Sequence, residues 1–233
     1  MSHHAEIPPG PNAGRVWRDP PESRRDPLTR RTVVRLTNYR GHSHHLIGPA
    51  PCWLDGGRCL LVVSDREGQG NLFSHHFATG ALTQLTDFRG GHRPALARLS
   101  PTARQLGFWY GKLYYELELD SLCMRVVEPP PDRGLRSTPG RVAALRVGKT
   151  APVSGEPILW LADGPAVASR RALALIGGPG ETSVTVAGLC LDPEGKRVVF
   201  GAAHGGYAQI FSVVIGRFDA LPTLASVVAG RRR

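Results

Sequence analysis

The sequence predicts an all-β chain built from repeated four-stranded antiparallel sheets, and three observations lead there. First, Trp53–Asp87 divides into four short strand-like runs separated by turn residues. Asp55-Gly56-Gly57 makes a tight hairpin turn, because glycine takes positive φ at little steric cost. Cys59–Ser64 is aliphatic and β-branched, Asp65–Gly70 is a polar loop, and Leu72–Phe77 alternates in part. Ala78-Thr79-Gly80 turns again, into the short outer strand Leu82–Thr86. Second, the unit recurs. Thr32–Gly41 (TVVRLTNYRG) matches Ala81–Gly90 (ALTQLTDFRG), with Leu-Thr and Arg-Gly at the same offsets. A further copy follows as Leu99-Ser100-Pro101, Arg104–Tyr110, Lys112–Leu119, Asp120-Ser121-Leu122 and Met124–Val127. Another starts at Leu189, with Asp192–Lys196 as its turn, Arg197–Gly201 and Gln209–Ile215 as strands, and His204-Gly205-Gly206 as the loop between them. Third, the copies repeat at a spacing of about 40–50 residues, the range of propeller blades. Together these define a β-propeller of four-stranded antiparallel blades.

The 233 residues leave room for four to five blades, at about 40–47 residues each. Residues 1–31 are Pro- and Arg-rich without period and read as a disordered leader. Residues 32–229 are the propeller domain, and 230–233 are a basic tail. Thr32–Thr37 matches an outer blade strand, so its place is the outer edge of the last blade, where it closes the ring and removes an exposed sheet edge. Pro129–Gly134 is a break. Val142–Val147, Pro157–Leu161 and Ala172–Ile176 fit three strands of a worn blade, with a short helix over Ala166–Ile176 as the open alternative. Gly177–Gly180 is a loop, and Leu224–Val228 an extra strand.

Composition narrows the function classes. No apolar run reaches the ~18 residues of a membrane helix, so no membrane partner is expected. The opening MSHHAEIPPGPNAGR has no apolar core of a secretory signal. Cys52, Cys59, Cys123 and Cys190 lack metal or redox spacing and read as thiols of a reducing compartment, the cytoplasm. The net charge of +10 is densest in Arg15–Arg31 and Arg231–Arg233. Those are solvated tails without interleaved aromatics, so nucleic acid is not expected as a partner. No phosphate-cradling or nucleophile-elbow motif is present.

Blade order fixes where loops lie. The innermost strand runs away from one face, its turn sits on the far face, and the second strand returns. Two loop families therefore share the near rim: the lead-in to each inner strand and the loop after each second strand. The lead-ins are His42–Leu46, His92-Arg93 and Ser183–Val186; the loops are Asp65–Gln69 and His204-Gly205. His42, His44, His45, Arg66, His92, Arg93 and His204 are all expected at this mouth, where scaffolds carry their ligand sites. Of these, His44 and His45 could each be a base or a ligand, since neutral imidazole serves both, and His42, Arg66, His92, Arg93 and His204 are candidates for contacting whatever binds there. His75-His76 and Trp53, Trp109, Tyr114 and Phe211 read as packing residues.

Residues 31–122, with RTVVRLTN, His42-Ser43-His44-His45, WLDGGRCLLVVSDREGQGNLF, TGALTQLTD and LYYELELDSL in order, resemble the N-terminal blades of bacterial oligogalacturonate lyases. The Ser64-Asp65-Arg66 signature is shared with TolB-type propellers generally. The resemblance implies a seven-bladed cytoplasmic propeller that cleaves short oligogalacturonides by β-elimination with bound Mn²⁺. That chemistry needs a cation against the uronate carboxylate, a base for the adjacent proton, and a positive group to hold the acidic sugar. If the copy at 189–215 is the family's last blade, its metal ligands fall at about Ser183, Val186 and Gly188, which supply no ligand set; if it is an earlier blade, the metal blade is absent, and either way no metal residues are assigned. The alternative is a non-catalytic propeller that binds an acidic glycan or a protein, with an oligomer completing the ring as a further expectation.

Overall fold

A computed structural model of the chain describes residues 5–27, 29–46, 53–100, 102, 104–129, 144–149, 157–162, 170–175, 186–204, 206–216, 221, 223 and 226. In chain order the strands are β1 (Val16–Arg18), β2 (Glu22–Arg25), β3 (Thr32–Arg35), β4 (Ser43–His45), β5 (Trp53–Leu54), β6 (Cys59–Ser64), β7 (Asn71–His76), β8 (Ala81–Gln84) and β9 (Ala95–Leu99). They continue as β10 (Gln105–Tyr110), β11 (Leu113–Glu118), β12 (Met124–Val126), β13 (Ala144–Lys149), β14 (Pro157–Ala162), β15 (Arg170–Leu175), β16 (Val186–Leu191), β17 (Arg197–His204) and β18 (Tyr207–Val214). Among the described residues they form antiparallel sheets only, distributed over two compact units.

The first unit takes Met1–Pro20 and Thr37–Ser137. Its first sheet runs β4-β6-β7-β8-β1, with β5 also paired to β6; its second runs β9-β10-β11-β12. The expected Asp-Gly turn is present as a single 3-10 turn over Asp55–Gly57, with Gly56 at φ 63°. β6 is buried along Leu60, Leu61, Val62 and Val63, which explains its unbroken aliphatic run. Leu61, Val63, Leu72 and Leu85 of the first sheet cluster with Leu106, Phe108, Leu117 and Met124 of the second. Each such side chain contributes about 1.5–3 kcal/mol on full burial. His75 is buried in β7, and His76 accepts from the Thr79 N–H at the Thr-Gly turn, both as packing residues.

The second unit takes Pro21–Leu36 and Thr138–Arg233. Its sheets run β13-β14-β15 and β16-β17-β18-β3-β2. β3 pairs with β18, Val34 opposite Ser212, so Thr32–Thr37 does add to the last sheet in sequence order. Its core gathers Val33, Leu159, Leu173, Val198, Phe200, Phe211 and Val213. β15 is a strand paired antiparallel with β14, so the helix alternative does not hold at Arg170–Leu175.

Two expectations are corrected. The leader is not disordered across residues 5–27: β1 pairs with β8, β2 pairs with β3, and Ile7 bridges Met124. Backbone pairing with an open outer edge overrides a Pro- and Arg-rich composition, and it widens both sheets beyond four strands. In the last sheet, β17 extends to His204, so the loop expected from His204 begins after it. Residues 130–134, 177–180 and 230–233 lie outside the described residues, as does most of Leu224–Val228.

Candidate functional site

The near rim of the first unit is assembled by three segments. β4 pairs with β6, Ser43 opposite Ser64, which sets His42 beside the start of the loop after β6. There the chain locks itself twice: the His42 N–H donates to Asp65 Oδ1 at 2.6 Å, and the Asp65 N–H donates to the His42 carbonyl at 3.1 Å. The third segment is the lead-in to β9. Arg93 brings Nη2 to 3.5 Å from Asp65 Oδ2 and Nη1 to 3.1 Å from His44 Nε2. The His42 and His44 rings lie nearly parallel, with centroids 6.0 Å apart.

The protonation state of His44 follows from its partner. A guanidinium has donors only, so Nε2 accepts and the imidazole proton is assigned to Nδ1. Burial lowers the His44 pKa below its ordinary value, and the neighbouring Arg93 and His42 lower it further, while Asp65 opposes them. His44 is therefore neutral at pH 7. Arg93 keeps half of its side chain, 50 %, exposed, and a guanidinium carries more N–H donors than these two contacts use. The site can take a carboxylate on the remaining donors of Arg93, beside a neutral imidazole.

Of the residues expected at the mouth, His42, His44 and Arg93 come together. His92 precedes Arg93, and its exposed ring sits edge-on to Tyr110, centroids 5.6 Å apart. Arg66 is a correction. Its side chain is only 5 % exposed, ion-paired to Asp19, with its guanidinium 4.6 Å from the Tyr39 ring centroid and 5.6 Å from that of Trp17. It is held inside the unit and not offered to a ligand, because the leader strand supplies a carboxylate that composition alone placed in solvent. His45 is opposite Val62 in β4, and its side chain lies outside the described residues. His204 ends β17 in the second unit, opposite Tyr207, and its side chain too lies outside them. Sequence reasoning missed Asp65 as the hub; an acidic residue directly after a strand, free to cap nearby N–H groups, was the available signal.

The residues do not fit the manganese that the resemblance implies. Val186 and Gly188 are strand residues without side-chain donors, and Ser183 lies outside the described residues. Among the described residues no group of three or more His, Cys, Asp or Glu is arranged to hold a metal ion.

The antiparallel sheets and their loop arrangement define a propeller-like all-β protein. No family model matches the chain, and no curated protein matches it in sequence. Among solved structures it is similar in fold to an oligogalacturonate lyase in complex with manganese, at 13 % identity and a TM-score of 0.51, over 93 % of this chain and 99 % of that one. An oligogalacturonate lyase from Vibrio parahaemolyticus aligns at 15 % identity and a TM-score of 0.46, over 87 % of this chain and 71 % of that one. TolB from Acinetobacter baumannii aligns at 13 % identity and a TM-score of 0.35, over 88 % and 65 %. These likenesses bear on fold alone.

Proposed function

We propose that the protein is an oligogalacturonate lyase-like propeller that binds short acidic oligosaccharides at the rim formed by His42, His44 and Arg93. The observation that carries this reading is the Arg93 guanidinium, held by Asp65 and His44 and half exposed. A uronate carboxylate matches that fork with two parallel N–H···O bonds. Neutral His44 beside it is suited to take the proton α to that carboxylate. For that step the substrate displaces Arg93 from Nε2 and Arg93 neutralises the carboxylate; Nε2 takes the α proton, the α,β double bond forms as the glycosidic C–O bond at the β carbon breaks, and the departing sugar oxygen is protonated by water. The mismatch at Ser183, Val186 and Gly188 favours a second reading, a propeller that binds such glycans without cleaving them. A cytoplasmic location belongs to either reading.

Di- and trigalacturonate, offered with and without Mn²⁺, separate the two. Heat of binding together with ultraviolet absorbance of the unsaturated product supports the lyase. Heat of binding without product supports the binder. Absence of both, with folded protein, overturns the proposal.

A further inference from the structure

The motif Ser64-Asp65-Arg66-Glu67-Gly68 reads as a ligand-holding loop, yet its arginine is buried. We infer that this loop positions the site instead: Asp65 is the positioning residue that holds Arg93 ready for a carboxylate, and the Arg66–Asp19 pair anchors it to the N-terminal strand. This rests on the reading that the rim binds a carboxylate.

Three features lead to it. The Asp65 carboxylate is divided, with Oδ1 on the His42 N–H and Oδ2 facing Arg93 Nη2. One acidic side chain thus ties the lead-in of the first sheet to that of the second. The far end of the loop grips the same arginine from its stem. A methyl group on Gly70 would meet Arg93 Cγ at 2.7 Å and the His92 carbonyl at 2.8 Å, so only glycine lets the two segments lie this close. Between these ends the loop is fastened to the leader. Arg66 pairs with Asp19, which also accepts from the Asn38 N–H at 3.1 Å. Glu67, at φ 60°, reaches Arg15 at 2.9 Å. A non-glycine residue at positive φ persists where its surroundings hold it there.

A guanidinium ordered before the ligand arrives loses less freedom on binding. The inference also differs in sign from simple electrostatics. Asp65 is an anion next to an anion site, so removing its charge should by Coulomb attraction alone tighten binding. If Asp65 acts by holding Arg93, removing it weakens binding.

The test is Asp65→Asn, with digalacturonate as the calorimetric probe and ligand-free ¹⁵N NMR of the His44 ring as the second readout. The expected result is binding weaker by roughly 3- to 10-fold, with His44 shifting from the Nδ1–H form towards a mixture of tautomers as Arg93 leaves Nε2. Gly70→Ala keeps the charge and displaces the Arg93 stem, and it is expected to weaken binding likewise. Tighter or unchanged binding in Asp65→Asn, or an unmoved His44 tautomer, overturns the inference. If the unaltered protein binds no digalacturonate, the proposed function fails while the NMR arm still decides the role of Asp65. If Asp65→Asn does not fold, Gly70→Ala decides by both readouts.

Discussion

The loop after the second strand is long in the first sheet and minimal in the last, and the contacts that hold Arg93 and Arg66 follow from that contrast. β17 and β18 stay in register from Arg197 opposite Val214 to His204 opposite Tyr207, and Gly206 at φ 83° turns the chain at once. β6 and β7 part at Ser64 opposite Asn71, leaving 65–70 to fold as a polar turn of its own. The strands are alike in kind; only the longer connection has enough backbone to gather Asp65, Arg66 and Glu67 and reach three other segments. Asn71 accepts from Thr86 Oγ1 at 2.9 Å and from the Phe88 N–H at 2.7 Å, so the residue that closes the long loop also pins the segment leading towards Arg93. Tyr207, at the matching position of the tight hairpin, is exposed.

The largest break in this comparison comes from unpairing the loop's anchor. Asp19→Ala leaves the Arg66 guanidinium buried without its carboxylate and is expected to cost about 3–5 kcal/mol. In the second unit, whose centre is apolar, Phe200→Ala is expected to cost a similar 3–5 kcal/mol by opening a cavity. Urea unfolding measures both. A cost below about 1 kcal/mol for Asp19→Ala would mean that the pair is a surface contact, and that the leader does not hold the loop.

A smaller effect sharpens the contrast at the two matching positions. Asn71→Ala strands the buried Phe88 N–H and the Thr86 hydroxyl, at about 1–3 kcal/mol for an unsatisfied group. Tyr207→Ala touches an exposed residue and is expected to stay within about 0.5 kcal/mol. Thermal melts of the pair are the measurement. Equal losses would contradict the claim that Asn71 anchors the end of the long loop.

What could be read from the sequence was the part of the fold that is local. The Asp55-Gly56-Gly57 turn and the aliphatic Cys59–Ser64 are set by neighbours in the chain, and the place of Thr32–Thr37 by its likeness to Ala81–Gly90. Strand order also led to the expectation that the segments of His44 and Arg93 share a face; the direct contact between the two side chains is a finding of the structure. The burial of Arg66 could not be read from the sequence. Its carboxylate stands 47 residues away, on a segment whose composition argues for disorder and whose strands exist only because β8 and β3 offer open edges. Long-range pairing of that kind leaves no periodicity to read.

The smallest expected effect is the dependence on pH, and its sign differs between stability and binding. His44 has a folded pKa below the ordinary 6.5, with burial first among the causes, then Arg93 and His42, against Asp65. Above pH 6.5 the ring is neutral whether the chain is folded or not, and its contribution is flat. As pH falls through that value the unfolded chain takes the proton first, so stability is lost, until the folded ring is protonated as well. A bound carboxylate acts the other way. It raises the His44 pKa, a proton is taken up on binding, and affinity for digalacturonate rises as pH falls below 6.5. Calorimetry in buffers of different ionisation enthalpy measures that uptake directly. His44→Gln is expected to abolish both trends, and a proton released on binding, instead of taken up, would remove His44 from the rim site.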